Sequence, residues 1–564
     1  MRTLICLTLA ATLSFSGCKR AHQLVHHAAS SEPNYTPQLQ SALTSGHIDD
    51  MQFPDFTDIQ PQVMNFYDGR DFDAVWIQAG KPTPQADAML ENFSNAIKRG
   101  LRPADYDAGK WQARVANLKS PEGVALFDAT LTINAMRYLS DLHMGRVTPA
   151  YFTFGVKGYD DKKLDLTAAL APIVTAKDVD AALDSVEPQA YQYRALKSAL
   201  AHYLDLVPQD HIAPLPDIDA KAKPAAVTAD YNALQPLVQR LQLLGDLQIE
   251  PNSTPDPATL AEAITRFQHR HGIAEDGKLA HDTVAALNVP ITARVTQIQD
   301  SMERWRWLSD DYQNAAIMVN LPEFELRAYE GTGVDRHETF RMEVVDGKSD
   351  DETHHTPIIA DQMKYLVFRP YWNVPPSIAR KEIIPHMEKS SDYLSQKNYE
   401  TVNMKGDIQP PQMSLIEKGQ QMVRQKSGTS NSLGLVKFMF PNSFNVYLHD
   451  TNEKALFSRT RRDYSHGCVR LQDPPKLAEW VLRNNPKWDA DAIKTAMETG
   501  DDNKSVSLGK PLPIVIFYVT ALSDSGEIHF FRDMYDYDSD LEKVLTKGRP
   551  YPTKPVKQVS EKDV

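Results

Sequence analysis

The sequence predicts an α+β multidomain protein: a helical N-terminal scaffold, a three-helix unit, then a mostly β barrel- or sandwich-like domain with an inserted helical cap. Three observations lead there. The chain has 564 residues, too many for one core and enough for three or four domains. Apolar residues recur at helical spacing through much of the first half. Beyond about residue 312 the pattern changes to short β-branched and aromatic runs bounded by Pro, Gly, Asn and Asp. An apolar fraction of 42% and a charged fraction of 24% fit a folded soluble protein. A net charge of −13 supplies no basic face, so no nucleic-acid partner is expected.

Residues 1–18, MRTLICLTLAATLSFSGC, hold one basic residue, a short apolar run and small residues before Cys18. A run this short reads as an export signal peptide, not a spanning helix. Residues 19–50 are polar and read as a tether. Residues 51–207 are helical in flavour: PQADAMLENFSNAIKRGL places Ala88, Leu90, Phe93 and Ala96/Ile97 near helical spacing and ends at Gly100. Residues 208–227, rich in Pro and Ala, read as a linker.

Residues 228–290 predict three helices around Leu237, Leu241, Leu244, Ile264, Phe267, Leu279, Val284 and Leu287. Residues 291–311 predict a linking helix whose Trp305 and Trp307 pack. Residues 312–545 carry the β-rich runs, including KYLVFRPYWNVP, LVKFMFPNSFNVYLHDT and PIVIFYVTALSDSGEIHFFRD. A polar, helical insertion is expected at 377–430, and a disordered Lys- and Pro-rich tail at 546–564. Spacing this irregular argues against a doubly wound sheet.

The chain has three cysteines. Cys6 leaves with the signal, and Cys18 follows it directly. Cys468 then lacks a disulfide partner in an oxidising compartment. It sits in YLHDTNEKALFSRTRRDYSHGCVRL, after Ser465, His466 and Gly467, with His449 upstream at the end of a strand-like run. A thiol attacks carbonyls as the thiolate, so it needs a base. An imidazole titrates in the useful range. Gly467 permits a tight turn, and main-chain N–H groups there could serve as an oxyanion hole. On residues alone, a lone cysteine is equally a small buried hydrophobe. FQHRHG and THHT pair histidines without zinc-ligand spacing and read as solvated surface. DMYDYDSDLE lacks the glycine of a calcium loop and reads as a solvated acidic stretch. No metal and no cofactor is expected.

The HDT and SHGCVR blocks resemble the signature of the L,D-transpeptidase (YkuD-type) catalytic domain. MERWRWL, VNLPEFELRAYE, TPII, YWNVPPSI, NSLG, VKFMFPN, SHGCVRLQDP and FFRDMY extend the likeness. They point to the larger subfamily with a scaffold domain and a peptidoglycan-binding domain. Residues 228–290 resemble that peptidoglycan-binding domain at Ala263, Phe267, Gln268, Gly272, Asp276, Gly277 and Thr283. The chain departs from the pattern at Asn452, Lys426, Ser427 and Leu435. The end of the signal resembles the lipobox of bacterial lipoproteins, with Phe15 in place of Leu.

The resemblance implies acyl transfer on peptidoglycan stem peptides in the periplasm of a Gram-negative bacterium. Cys468 would take the acyl group from a tetrapeptide donor as a thioester. A diaminopimelate amine of an acceptor would resolve it into a 3→3 cross-link. His449 would be the base, oriented by the main chain of Asp450. Ser465, His466 and Gly467 would shape the turn. Arg470 would hold a substrate carboxylate, or an internal salt bridge instead. Tyr447 and Trp372 would line the groove, or lie in the barrel core. The insertion would act as a lid. Cys18 would carry a lipid, giving association with the outer membrane. Two other readings stay open: the same thioester resolved by water or another nucleophile, and a non-catalytic wall-binding scaffold.

Overall fold

A computed structural model describes residues 34–228, 231–250 and 253–553. The signal peptide with Cys6 and Cys18 lies outside these, as do residues 19–33 of the tether and 554–564 of the tail.

The N-terminal domain wraps short helices around the long helix Pro121–Met144. That helix starts at Ser120, whose hydroxyl accepts the Gly123 N–H, the usual remedy for an orphan first-turn donor. It is apolar around most of its circumference, so it is buried on most sides. Asp128 within it accepts from the Tyr67 hydroxyl at 2.6 Å and from Trp76 N at 2.7 Å. Burial still pushes that carboxyl up to about 6. The expected tether is corrected here: Thr36–Thr44 is helical, and its Leu39 and Leu43 are fully buried in this core.

The helix Tyr191–Leu206 breaks a second expectation. It lies within the predicted helical domain, but Tyr193, Leu196, Leu200 and Tyr203 pack with the linking helix and the barrel. Amphipathic spacing says that a helix buries one face, not against which neighbour.

Three helices, Leu234–Leu243, Pro257–Arg270 and His281–Leu287, enclose a separate small core of Leu237, Leu241, Ile264, Phe267, Leu279, Val284 and Leu287. Leu244 sits at its edge. The Gln268 amide ties the intervening turn, donating to Lys278 O and accepting from Asp276 and Gly277 N–H. His271 is buried and stacks on Phe267 at 3.8 Å, so one of the two histidines of FQHRHG is core, not solvated surface.

The linking helix Ile291–Trp307 runs between the domains and buries Trp305 and Trp307. Its polar side is buried too. Glu303 accepts from Val147 N and from the guanidinium and main-chain N–H of Arg146, and pairs with Arg306.

The C-terminal domain is a closed barrel of eight strands. In chain order they are β1 (Ile317–Asn320), β2 (Glu325–Glu330), β3 (His337–Gly347), β4 (Ile359–Phe368), β5 (Val436–Met439), β6 (Leu448–His449), β7 (Val469–Leu471) and β8 (Lys504–Phe517). Around the wall the order is β5-β6-β7-β3-β2-β1-β8-β4, and β4 pairs with β5 to close it. Pairing is antiparallel except for β6–β7 and β1–β8. Closure removes the exposed edges that an open sheet would carry. The N-terminal domain adds Gly155–Val156 in parallel to the start of β4.

The inserted segment departs from the expected helical cap. Trp372–Asn373, Met422–Gln425 and Tyr399–Val402 form a three-stranded antiparallel sheet with short helices around it. It has its own core of Val374, Ala379, Ile383, Ile416 and Val423, so it begins before residue 377. Short alternating runs such as YETV offer too few residues to separate strand from loop in sequence.

The tail from 546 is also corrected, as far as residue 553. Beyond the helix Tyr537–Leu545, Arg549 pairs with Asp141 at 2.5 Å and the Tyr551 hydroxyl reaches Asp105 at 3.3 Å. In DMYDYDSDLE, Asp538 is buried and pairs with Arg304 at 2.5 Å, so that stretch is in part a domain contact.

Candidate active site

Strand register builds the site. Leu448 and Val469 pair across β6 and β7 and are both fully buried, pointing into the barrel. Alternation then sends Tyr447 and His449 to the outer face, together with Cys468 and Arg470 on the next strand, ~4.8 Å away. On β5, Val436 and Phe438 point inward, so Lys437 joins the outer face directly opposite His449. One outer row therefore reads Lys437, His449, Arg470. Tyr447 and Cys468 stand in the row beside it.

Cys468 is partly exposed and its Sγ lies 3.8 Å from Asn445 O. Burial pushes the thiol up to about 11. Hydrogen bonding from Tyr447, main chain and phenol, pulls the other way, as do Lys437 and Arg470. His449 is 4% exposed. Burial drives its imidazole down to about 3, helped by Arg470, Lys437 and Lys454. The resting pair is therefore a thiol beside a neutral imidazole. Nδ1–H of His449 donates to Asp450 O, an assignment that leaves Nε2 with its lone pair.

The Asp450 carboxylate is engaged elsewhere. It accepts from Leu435 N at 2.8 Å, from Thr451 N at 2.7 Å and from Lys454 Nζ at 2.7 Å. Gly434 makes room for it: a Cβ there would meet Asp450 Oδ2 at 2.3 Å, and φ is +60°. Gly434→Ala is expected to displace Asp450 and with it the carbonyl that orients His449. The expected readouts are a lower melting temperature and a loss in Cys468 acylation of about 10-fold or more.

The turn before Cys468 is tied to itself. Ser465 Oγ donates to Cys468 O at 2.6 Å and accepts Gly467 N–H at 3.0 Å. Gly467 has φ +110°, where only glycine is at ease. Its carbonyl accepts from Thr356 Oγ1 at 2.9 Å. The Gly467 N–H is thus spent within the turn. The Cys468 N–H has no acceptor among the described residues.

His466 leaves the turn for the insertion, where its Nε2 meets Glu382 Oε1 at 2.7 Å. His354 packs on the His466 ring at 4.7 Å, and His355 stacks on Tyr535 at 4.2 Å. THHT is therefore half-buried support behind the turn rather than solvated surface.

Of the two readings for Arg470, the internal salt bridge is the one present: it is paired with Glu453. Trp372 is not in the barrel core: it is partly buried and packs within the inserted subdomain. Sequence reading missed Lys437, Thr356, His354 and Glu382. For Lys437 a signal existed: the alternation in VKFMF already puts it on the polar face of its strand. Among the described residues no group of His, Cys, Asp and Glu is arranged to hold a metal ion.

The Scaffold domain family matches residues 61–200, and the L,D-transpeptidase catalytic domain family (YkuD) matches residues 314–516. A Haemophilus influenzae protein named "Putative L,D-transpeptidase" is 29% identical over 235 residues. That match takes in 41% of this chain and 46% of the relative, so the chain spans about half the length of the curated relative it matches. The second matched family encloses the barrel strands that carry Lys437, His449 and Cys468. The chain contains a Scaffold domain followed by a YkuD-type L,D-transpeptidase catalytic domain.

Proposed function

We propose that this protein is a cysteine-dependent L,D-transpeptidase that forms 3→3 cross-links between peptidoglycan stem peptides. The observation that carries the reading is the shared outer face of β6 and β7. It offers a partly exposed thiol, and an imidazole held by a main-chain carbonyl in the tautomer that can accept a proton.

The chemistry divides into two acyl transfers. The S–H proton passes to His449 Nε2 as sulfur bonds to the carbonyl carbon of the donor's third residue. The Cys468 N–H faces the developing oxyanion, the role that its lack of an internal acceptor suits. The carbon–nitrogen bond to the terminal D-Ala breaks, and the imidazolium returns its proton to the leaving amine. A diaminopimelate amine then attacks the thioester, gives its proton to His449, and sulfur leaves as the thiol. A thioester keeps enough acyl reactivity for an amine acceptor without a nucleotide energy source. Excluding water is then the demand on the fold, and the insertion joined to His466 through Glu382 is suited to it.

The three-helix unit serves as a peptidoglycan-binding module in this reading. Its core, its Gln268-tied turn and the sequence likeness support that assignment. Export to the periplasm, and a lipid on Cys18 that anchors the chain at the outer membrane, complete the proposal. Mass spectrometry of products from a disaccharide-tetrapeptide tests it. Cross-linked dimers are expected. Monomeric tripeptide alone would replace transfer by hydrolysis, and unchanged substrate would remove the enzymatic reading.

A further inference from the structure

We propose that Lys437, placed on the neighbouring strand, is the fixed counter-charge for the thiolate that Cys468 forms when its proton passes to His449. This rests on the transpeptidase reading only for its purpose. The juxtaposition itself is geometric.

The register is the first support. Lys437 pairs with His449, and His449 with Arg470, which puts two cations on the outer face on either side of the base. The second support is what each cation already holds. Arg470 is neutralised by Glu453. Lys454, on the turn after β6, is neutralised by Asp450 at 2.7 Å. Lys437 has neither a carboxylate at ion-pair distance nor a hydrogen bond among the described residues. Its ammonium lies 5.5 Å from the centre of the Tyr447 ring, and Tyr447, through main chain and phenol, lowers the Cys468 thiol alongside it. The remaining neighbours add no charge: Val367 stands opposite on β4, and Met439 follows on the same strand.

A third support is reciprocity. Burial lowers the Lys437 ammonium, and the one group that opposes this is Cys468. Lys437 in turn stands ahead of Arg470 among the cations that lower the thiol. A half-buried lysine whose one electrostatic counterpart is a nucleophilic sulfur is poorly explained by packing, because its stem could cover Tyr447 equally well as methionine. No proton moves to or from Lys437. The S–H proton still goes to His449 Nε2, and the ammonium offsets the negative charge left on sulfur.

Alkylation of the full-length protein tests this without any stem peptide. Second-order rates for neutral iodoacetamide and anionic iodoacetate are read as adducts on Cys468 between pH 6.5 and 9.5, with Cys468→Ala as blank. A rise of one unit in the thiol pKa removes about tenfold of the thiolate and returns roughly threefold through higher nucleophilicity, a net loss of ~3-fold. Lys437→Met is expected to slow iodoacetamide by ~3-fold or more at each pH and iodoacetate by more. Lys437→Arg is expected to stay within about 2-fold of wild type.

Wild-type rates in a natively melting Lys437→Met protein overturn the proposal. If that variant loses its melting transition, the same comparison on Lys437→Gln decides. Alkylation is independent of acyl transfer, so the two readings fail separately. Slowed alkylation in a protein that makes no dimers keeps the counter-charge and removes the transpeptidase reading. Dimer formation with unslowed alkylation in Lys437→Met does the reverse.

Discussion

Cys468→Ala is expected to abolish both the acyl-enzyme adduct and the cross-linked product, with turnover falling by at least about 10⁴-fold. The expectation follows from the division of labour at the site. The Cys468 amide remains in the variant, but the neighbouring Ser465 hydroxyl is tied within the turn and is not free to form the first covalent bond. The thiol is partly exposed and its sulfur lies no closer than 3.8 Å to Asn445 O, so alanine leaves no large cavity and melting should change little. Intact mass after incubation with tetrapeptide is the measurement. Retained product formation would move the chemistry off Cys468. The same geometry sets a pH dependence. With the thiol pushed up to about 11 and the imidazole down to about 3, alkylation should keep rising with pH beyond neutrality. It should show no separate step near pH 6.5, because His449 does not titrate there.

Glu303→Gln is expected to cost the most stability of any change outside the barrel core, about 3–5 kcal/mol. Glu303 is fully buried between Arg146 and Arg306. Arg306 in turn pairs with Arg99 O and holds the Tyr193 hydroxyl at 2.9 Å. The N-terminal domain, the linking helix and the helix Tyr191–Leu206 therefore meet on one carboxylate. Gly145 closes up against it with φ +80°, where a Cβ would meet Glu303 Oε1 at 2.8 Å. The neutral amide leaves two buried guanidinium groups uncompensated. A fall of roughly 5–10 °C in melting temperature is the expected result.

The pH dependence of that gap has a definite sign. Burial alone would raise the Glu303 carboxyl, but Arg146 and Arg306 outweigh it and hold it below its ordinary 4.5. Its contribution is complete above that value and is lost as pH falls through the lower folded one. The gap between wild type and Glu303→Gln should therefore be constant near neutrality and narrow in acid. A gap that widens on acidification would contradict the ion network.

Much of the site was legible in the chain because its parts are local. Ser465, Gly467 and Cys468 lie in one turn. The alternation in FNVYLH places His449 on the side of its strand opposite the core residue Leu448. What escaped came from elsewhere: Thr356 behind Gly467, His354 against His466, and Glu382 reaching His466 from the insertion. These contacts span 84 to 112 residues. No periodicity links such positions. The sequence left Trp372 open between groove and barrel core for a related reason, since an aromatic does not reveal which of several small cores it joins.

The sequence by itself marked the long helices and the barrel strands, the candidate thiol and imidazole, and the glycine that lets the turn close. Each follows from spacing, alternation or a backbone conformation that one residue type adopts without strain. Only the tertiary structure decided that β4 and β5 pair to close the barrel, that Lys437 stands opposite His449, and that burial keeps the thiol protonated and the imidazole neutral. Protonation and partnership depend on how much water and charge surround a group once distant strands have met, and that environment exists only in the folded chain.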